Sequence, residues 1–328
     1  MHILILGAAG MIGRKLVERL VRDGGIGGRR IEGATLFDVV APQAPAGAGF
    51  DVQTSAGDLT LPGQAERLVA ARPDLIFHLA AIVSGEAEAD FEKGYLVNLD
   101  ATRAVFEAVR RSDHGYCPRL VFTSSIAVFG APFPADGIYD EFNLTPLTSY
   151  GTQKAIGELL LADYSRRGFL DGVGLRLPTI CVRPGLPNKA ASGFFSGIIR
   201  EPLNGQQAVL PVPDTARHWH ASPRAAIEFL IHAAGLDTSA LGQRRSVTMP
   251  GLSATVADQI EALRRVAGKA VAARIRREPD PTVMGIVEGW PRNFSADRAK
   301  ELGFRSEASF DEIIRVYIED ELGGQIPG

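Results

Sequence analysis

Short apolar segments alternate with longer amphipathic segments along the first half of the chain. Buried strands are predicted where both faces are apolar, at 2–6, 34–39, 74–81, 119–125 and 172–178. Apolar positions recur at helical spacing between these strands, most clearly at 11–24, 96–112 and 149–167. Such strands, alternating with helices, indicate a parallel sheet covered on both sides, and right-handed crossovers make it doubly wound. The pattern therefore predicts an α/β fold.

The pattern changes after about residue 179. The segments 183–195 and 210–224, rich in Pro, Arg and His, predict long irregular loops, which in compact domains are usually functional. The Pro-, Gly- and Ala-rich segment 41–57 also predicts a loop. Further elements are predicted as helices near 222–235, 255–267 and 308–320 and a strand at 244–249. We interpret this second half as a smaller α/β lobe.

Composition excludes several classes of protein. The chain has 328 residues, 45% hydrophobic and 22% charged, which is ordinary for a globular protein. A net charge of −3 creates no basic field that would favour nucleic acid or an anionic membrane. No segment approaches the ~20 apolar residues of a membrane span, and two cysteines are too few for a disulfide framework. We expect a cytoplasmic protein with no nucleic-acid or membrane partner.

A glycine-rich turn joins the first predicted strand to the first predicted helix. Gly7, Gly10 and Gly13 allow a tight turn and the close approach of a pyrophosphate. Met11 and Ile12 then place backbone amides at the helix N-terminus, where unpaired N–H groups and a partial positive charge favour phosphate. By itself, this spacing also fits a plain strand–helix turn.

Asp38 at the end of the second predicted strand favours a dinucleotide. A carboxylate at this place accepts hydrogen bonds from an adenosine ribose and repels a 2′-phosphate. The next residues are Val39 and Val40, so no arginine is at hand for such a phosphate. The predicted cofactor is therefore NAD rather than NADP.

Tyr150 lies four residues before Lys154, and this spacing places both side chains on one face of a helix. The pair is either a proton-transfer device or a chance feature of an exposed helix, and a lone match is often chance. Ser125 ends a predicted strand, so it shares with Tyr150 the carboxyl edge of the sheet, where doubly wound folds bind ligands.

Motifs of one known family appear in order along the chain. They are the glycines at 7, 10 and 13, Asp38, GDL at 57–59, HLAA at 78–81, Asn98, TSS at 123–125 and YGTQK at 150–154. In this respect the chain resembles the extended short-chain dehydrogenase/reductases, from residue 1 to about 185 and weakly again at 295–304. The resemblance implies a Rossmann domain over 1–178 that carries the catalytic residues, and a substrate lobe over 179–328, with some chain exchange between them.

The resemblance also implies functions for individual residues. Asp58 and Leu59 would border the adenine, and Asn98 would support a proton relay. Further cofactor contacts are expected at Ala80, Ala81, Ile82, Pro178 and Ile180. His78 is interpreted as an ordinary core histidine.

The chemistry of the Tyr–Lys pair agrees with the resemblance. A free phenol has a pKa of about 10 and is a poor base at neutral pH. A lysine ammonium within ~4 Å stabilises the phenolate by about 4 kcal/mol, or roughly three pKa units. Tyr150 would take the substrate hydroxyl proton as hydride leaves the same carbon. Ser125 would hold the oxygen, and Lys154 would tune Tyr150 and bind the nicotinamide ribose.

The substrate is predicted from a departure within the family. Members that act on nucleotide-diphosphate sugars carry an Asn where this chain has Thr179. The segments 183–206 and 217–226 are instead similar to a branch that oxidises the 2-hydroxyl of D-erythronate to 2-oxo-tetronate. Arg183 and Arg217 are candidates for a carboxylate clamp. The neutral candidates are Ser84, Thr179, Asn188 and His220, alongside Ser125 and Tyr150.

Three functions are compatible with the sequence. The chain is a sugar-acid dehydrogenase, a nucleotide-diphosphate-sugar 4-epimerase with tightly bound NAD, or a cofactor-sensing regulator, although the intact Ser125, Tyr150 and Lys154 argue against the last. His218 and His220 alternate in a predicted loop without nearby Cys or Glu, which makes a poor zinc site, and no metal is predicted. By analogy with the family, a homodimer would form through the helices at 96–112 and 149–167.

Overall fold

The computed structural model describes residues 1–112, 115–185 and 192–326. The chain divides into two compact units. The first unit comprises 1–128, 148–176 and 227–247, and the second unit comprises 129–147, 177–226 and 248–328. The division at 176/177 lies close to the predicted boundary at 178/179, and the segments 129–147 and 227–247 are the parts of the chain exchanged across it.

The strands and helices have the following bounds. The strands are β1 (His2–Leu6), β2 (Gly25–Ile26), β3 (Arg29–Arg30), β4 (Gly33–Asp38), β5 (Asp51–Ala56), β6 (Leu75–His78), β7 (Arg119–Ser125), β8 (Asp171–Leu177), β9 (Thr179–Ile180), β10 (Ala208–Leu210), β11 (Arg217–Ala221), β12 (Ser246–Thr248), β13 (Leu252–Thr255) and β14 (Ile275–Arg277). The helices are α1 (Met11–Asp23), α2 (Gln64–Val69), α3 (Ser84–Ala89), α4 (Phe91–Tyr95), α5 (Ala101–Arg111), α6 (Ser149–Arg166), α7 (Gly193–Leu203), α8 (Pro223–Gly235), α9 (Val256–Ala267), α10 (Lys269–Ala272), α11 (Pro281–Glu288), α12 (Asp297–Glu301) and α13 (Phe310–Glu321). In the described part of the chain, no helix combines the length and the apolar character needed to cross a membrane.

A seven-stranded sheet forms the centre of the first unit, in the order β12-β8-β7-β6-β1-β4-β5. The strands β5, β4, β1, β6 and β7 run parallel in register. The strand order reverses beside β1, since β4 lies on one side and β6 on the other. Ligands of doubly wound folds bind outside the carboxyl ends of the strands at such a reversal. The predicted doubly wound Rossmann fold is confirmed.

Each unit has its own apolar core. In the first unit, residues of the sheet such as Leu4, Phe37 and Phe122 pack against helix residues such as Phe106 and Leu161. The second unit contains a three-stranded sheet in the order β13-β11-β9 and a two-stranded sheet of β10 and β14. Its core includes residues of five helices and of β10, among them Phe195, Leu210, Leu263 and Ile313. Burial of these apolar surfaces is the main force that holds each unit together.

Two sequence predictions of irregular structure are wrong. The predicted loop 41–57 ends in strand β5, which pairs with β4 at the edge of the sheet. Its sequence DVQTSA lacks the apolar character of a buried strand because an edge strand is largely exposed. The predicted loop 210–224 contains strand β11, which pairs with β9 and β13. Its alternating Arg, His and Trp residues lack the apolar pattern that predicts a buried strand.

Candidate active site

The turn after β1 has the conformation that its glycines predict. Gly7 has φ +90, and a Cβ there would lie 2.7 Å from the backbone nitrogen of Ala80. A Cβ at Gly13 would lie 2.2 Å from the carbonyl oxygen of Gly7. Gly10 caps helix α1 without a side-chain hydrogen bond, and the first turn of α1 has no acidic residue. The first backbone amides of α1, at Met11 and Ile12, therefore lie at a helix end that suits a pyrophosphate.

Asp38 is fixed against this glycine turn. Its Oδ2 accepts a hydrogen bond from the Ala9 backbone N–H at 2.8 Å, and its Oδ1 accepts from the Val39 N–H at 2.7 Å. A carboxylate offers about four acceptor positions, so two such bonds leave capacity for ribose hydroxyls. Val39 and Val40 are 69% and 66% exposed. The arrangement fits the adenosine ribose of NAD and offers no cation for a 2′-phosphate at these two positions.

The other predicted cofactor contacts of the first unit follow strands β5 and β6. Asp58 accepts hydrogen bonds from the backbone N–H and hydroxyl of Thr60 at 2.9 and 2.7 Å, which forms a local turn. Leu59 lies in the apolar core beside this turn. Ala80, Ala81 and Ile82 follow β6 at the carboxyl edge, and Ala80 contacts Gly7.

Asn98 links three segments of the first unit. It lies in a π-helical turn at Leu96–Asp100, where the sequence predicted regular helix. Its Oδ1 accepts from the Ile82 N–H at 2.8 Å, and its Nδ2 donates to Gln153 Oε1 at 2.8 Å. Both Asn98 and Gln153 are fully buried. Single π-helical turns occur frequently at functional sites, and this one directs Asn98 towards the end of β6 and helix α6.

Lys154 is almost completely buried, with 2% of its surface exposed. Its Nζ donates to the carbonyl oxygen of Thr123 at 2.8 Å and lies 5.8 Å from the centre of the Tyr150 ring. Burial lowers the pKa of Lys154 to about 8, and the negative charge of Glu158 opposes this fall. Burial, together with the charge of Lys154, lowers the pKa of His78 to about 3, so His78 is neutral.

Tyr150 and Ser125 lie where the sequence placed them. Tyr150 is in the first turn of α6, which Thr148 caps by accepting a hydrogen bond from the Gly151 N–H at 3.1 Å. Ser125 ends β7, and its Oγ accepts from the Ala127 N–H at 3.1 Å. Both are partly exposed, in contrast to Lys154. Ser84 begins helix α3, which packs against α6. These residues are candidates for contact with a substrate, and their functions stay predictions.

Thr179 of the second unit forms a hydrogen-bond chain with a buried histidine. The Nδ1 of His218 lies 3.0 Å from the carbonyl oxygen of Pro291, and its Nε2 lies 2.7 Å from Thr179 Oγ1. Burial lowers the pKa of His218 to about 4, so the ring carries one proton at neutral pH. Because a carbonyl only accepts, that proton is on Nδ1, and Thr179 donates its own proton to Nε2. Thr179 Oγ1 therefore faces any further partner as an acceptor.

The two candidate clamp arginines differ in their surroundings. Arg183 donates to Ser192 Oγ at 2.8 Å, and its backbone N–H donates to Ser196 Oγ at 3.0 Å. Arg217 begins β11 and donates to the carbonyl oxygen of Ser253 at 2.9 Å. Arg217 also lines a cavity of about 630 Å³ within the second unit, together with Arg292 and Glu288. The cavity makes Arg217 the stronger candidate for a carboxylate.

The remaining residues of the second unit that were predicted to bind substrate or cofactor, where the structure describes them, are buried or partly buried. His220 is fully buried against Phe195 and Phe310, and its Nε2 lies 3.0 Å from Gln259 Nε2. Pro178 precedes β9 and is buried, whereas Ile180 within β9 is partly buried. Asn188 lies outside the described residues. No group of three or more His, Cys, Asp or Glu side chains in the described ranges is placed to hold a metal ion.

Comparison with known proteins identifies the family. The model of the NAD dependent epimerase/dehydratase family matches residues 3–220. The chain belongs to this family. Within the NAD dependent epimerase/dehydratase family, it is 52% identical over 324 residues to D-erythronate dehydrogenase from Cupriavidus necator, covering 98% of each chain. It is 40% identical to D-erythronate dehydrogenase from Haemophilus influenzae, covering 98% of this chain and all of the relative.

A solved structure from the same family is also similar. It is described as a nucleoside-diphosphate-sugar epimerase from Agrobacterium tumefaciens, with 65% sequence identity and a TM-score of 0.97 over 100% of this chain and 96% of that one. The family membership confirms the predicted resemblance and NAD as the cofactor. These relatives are described by two different activities, D-erythronate dehydrogenase and nucleoside-diphosphate-sugar epimerase.

Several polar residues that contact the candidate site residues were not predicted from the sequence. Glu158 lies four residues after Lys154 on the same helix, and that spacing could have pointed to it. Arg176 is the one charged residue of the segment 172–177 in strand β8, and a charge among apolar residues is a signal of a buried partner. Gln153, Arg292 and the hydrogen bond of His218 gave no comparable signal.

Proposed function

We propose that this protein is an NAD-dependent D-erythronate dehydrogenase that acts in the cytoplasm, where nicotinamide cofactors are available. The observation that carries the proposal is the similarity to two relatives of that name over nearly the whole chain, both above a third in identity. The reaction oxidises the 2-hydroxyl of the sugar acid to a ketone. The buried Lys154 beside Tyr150 makes Tyr150 a suitable base for this chemistry.

The cofactor half of the site lies within the first unit. Gly7, Gly10 and Gly13 leave room for a pyrophosphate at the N-terminus of α1, and Asp38 offers acceptors for the adenosine ribose. These residues would hold NAD, which would supply the acceptor for the hydride of the substrate carbon. The neighbouring side chains would orient it: the small residues Ala80 and Ala81 border the strand end next to Gly7.

Proton transfer is assigned to three residues of the first unit. Tyr150 removes the proton of the substrate hydroxyl, and the ammonium of Lys154 stabilises the resulting phenolate. At an effective dielectric constant near 20, an ammonium ~4 Å from a phenolate stabilises it by about 4 kcal/mol. Ser125 donates a hydrogen bond to the reacting oxygen. Asn98, fixed by Ile82 and Gln153, supports the relay of the proton away from Tyr150.

Recognition of the sugar acid is assigned to Thr179 and Arg217. An arginine guanidinium binds a carboxylate in a planar, bidentate manner, and Arg217 faces a cavity that contains a second guanidinium, Arg292. Thr179 accepts a hydrogen bond from a substrate hydroxyl because its own proton is held by His218. Arg183 stays a candidate for the carboxylate. We leave His220 out because its ring is fully buried.

The alternative function is a nucleotide-sugar 4-epimerase. It is favoured by the description of the Agrobacterium structure, and Thr179 in place of the asparagine of such enzymes speaks against it. Both reactions begin with proton removal by Tyr150. A dehydrogenase releases its keto product together with reduced cofactor, whereas an epimerase returns the hydride and accumulates none.

The deciding experiment uses the wild-type protein. It is incubated with excess NAD and D-erythronate, other four-carbon sugar acids or a uridine-diphosphate hexose, and the absorbance of reduced cofactor is recorded. We expect many equivalents of reduced cofactor per enzyme with D-erythronate, fewer with the other acids, and none with the hexose. Interconversion of the hexose without net reduction would instead establish the epimerase.

We also propose a homodimer formed through α6 and the helical segment at 96–111. These helices carry exposed apolar side chains, with Leu96 at 45% and Leu159 at 65%, and Phe91 on the adjacent α4 is 61% exposed. Single exposed apolar residues are common, but the elements that carry these three contact one another, which favours an interface. Sedimentation should give a dimer mass for the wild type and a monomer mass for Leu159→Glu; a monomeric wild type would contradict the proposal.

A further inference from the structure

Glu158 and Arg176 form an ion pair inside the first unit to which the proposed reaction assigns no function. Their side chains are only 4% and 8% exposed, and Arg176 Nη2 lies 2.9 Å from Glu158 Oε2. Arg176 Nε lies a further 3.0 Å from the same oxygen. Removing two charges from water costs about as much as their attraction returns, so such a pair is weak evidence for stability. Its position therefore calls for another explanation.

Glu158 of this pair connects α6 and β7, the two elements that carry the proposed catalytic residues. Glu158 lies one helical turn after Lys154 on α6, and its carboxylate accepts a hydrogen bond from Ser124 Oγ. Ser124 stands in β7 between Thr123, whose carbonyl binds Lys154, and Ser125. Side chains alternate along a strand, so Ser124 points to the opposite face from its two neighbours. Glu158 thus holds β7 against α6 directly beside Lys154.

Within the described part of the chain, few titratable or charged side chains surround Lys154. Glu158 and Tyr150 lie on its own helix, neutral His78 reaches it from β6, and Arg176 comes from β8. The direct hydrogen-bond partner of the Lys154 ammonium is a neutral carbonyl. Burial therefore favours loss of its proton, and the carboxylate of Glu158 is the negative charge that opposes that loss.

We propose that Glu158 is a positioning residue for proton transfer, fixed by Arg176 and Ser124 so that its carboxylate keeps Lys154 protonated and in place beside Tyr150. This inference rests on the proposed pairing of Tyr150 with Lys154. Glu158 itself acts only through the lysine. Arg176 binds the carboxylate through its Nε and Nη2 groups.

The test is the substitution Glu158→Gln, which keeps the shape and removes the charge. Lys154 then loses its proton at a lower pH, and the Tyr150 phenol, less stabilised as phenolate, loses its proton at a higher pH. We expect the rising limb of kcat against pH for D-erythronate oxidation to move upward by about one pH unit, with a roughly tenfold lower kcat at neutral pH. The KM for D-erythronate should change little.

Asp171→Asn is the matched control. It makes the same chemical change in another ion pair of the first unit, in which Arg119 Nη2 lies 2.8 Å from Asp171 Oδ2. Both variants should lower the thermal midpoint, but only Glu158→Gln should move the pH profile. An unchanged profile in Glu158→Gln, or an equal shift in Asp171→Asn, would overturn the proposal.

A second variant covers the case in which Glu158→Gln does not fold. In the double variant Glu158→Gln/Arg176→Met, neither member of the pair is left as an uncompensated buried charge. The same upward shift is expected, and its absence counts equally against the inference. Failure of wild type to reduce NAD with D-erythronate would contradict the proposed function, whereas an unshifted profile in an active enzyme contradicts only the positioning residue.

Discussion

Three buried side chains beside helix α6 of the first unit form a charged network, whereas two buried histidines of strand β11 in the second unit are neutral. Around α6, the buried side chains of Lys154, Glu158 and Arg176 are ionised groups held by hydrogen bonds. Around β11, the equally buried His218 and His220 stay neutral, since burial lowers the pKa of His218 to about 4 and that of His220 well below its usual value. Burial is similar in the two places. The difference lies in the charged neighbours: the carboxylate of Glu158 acts on Lys154, whereas the cationic Arg183 acts on His220.

This difference separates two kinds of chemistry. A network of fixed charges stabilises a phenolate, which is what removal of a hydroxyl proton requires. A neutral network fixes the direction of each hydrogen bond, and here it makes Thr179 an acceptor. The comparison teaches that burial alone does not set the protonation state of a side chain; the partner decides it.

The largest expected effect is at Tyr150 in the charged network. Tyr150→Phe removes the base but keeps the ring, so kcat should fall by about 10²- to 10⁴-fold. Binding of NAD, measured by titration calorimetry, should be nearly unchanged because the glycine turn and Asp38 are untouched. Near-normal turnover in this variant would mean that the charged network serves stability rather than proton transfer.

The neutral network around His218 should make the stability of the protein depend on pH. His218 has a folded pKa of about 4, below its ordinary 6.5, so the unfolded chain binds this proton first as the pH falls. Stability supplied by neutral His218 is complete above pH 6.5 and is lost as the pH falls towards 4, by roughly 3 kcal/mol. Urea unfolding of wild type and His218→Gln at several pH values measures this loss.

The variant His218→Gln should lack this part of the acid sensitivity. Its control is His232→Gln, which changes an exposed histidine and should keep the wild-type pH dependence. Equal acid sensitivity in wild type and His218→Gln would show that His218 is not buried as a neutral ring.

Asp38, at the end of strand β4, is a further carboxylate of the first unit. Asp38→Ala removes a charged acceptor worth about 1.5–3 kcal/mol, so NAD should bind roughly 10- to 100-fold more weakly. The preference over NADP should also narrow, because a phosphate-repelling charge is lost. Asp38→Asn keeps an acceptor oxygen and should lose less affinity for NAD. A wild type that prefers NADP would refute the assignment of Asp38.

The smallest effect is expected at Thr179. Thr179→Val keeps the shape and removes the acceptor, so kcat/KM for D-erythronate should fall about tenfold, as for the loss of one hydrogen bond. For the sugar acid that lacks the recognised hydroxyl, at C3 or C4, the same substitution should change little. Thr179→Ser keeps the hydroxyl and serves as the control. Equal losses with D-erythronate and both deoxy analogues would remove Thr179 from recognition.

Much of the first unit could be predicted from the sequence because its signals are local. The apolar strands, the glycine turn and the four-residue spacing of Tyr150 and Lys154 are each written within a few neighbouring residues. Strand β5 could not be recognised, since an edge strand has polar residues on both faces. Strand β11 could not either, because its histidines are buried only through contacts with Phe195 and other distant residues.

The sequence by itself determined the alternation of strands and helices, the cofactor turn and the identity of the candidate base, because periodicity and spacing act over a few residues. Only the tertiary structure decided which side chains are charged. Glu158 meets Arg176 and Ser124 across 18 and 34 positions of the chain, and His218 meets Pro291 across 73. Protonation depends on burial and on partners brought together by folding, and neither is encoded in local spacing.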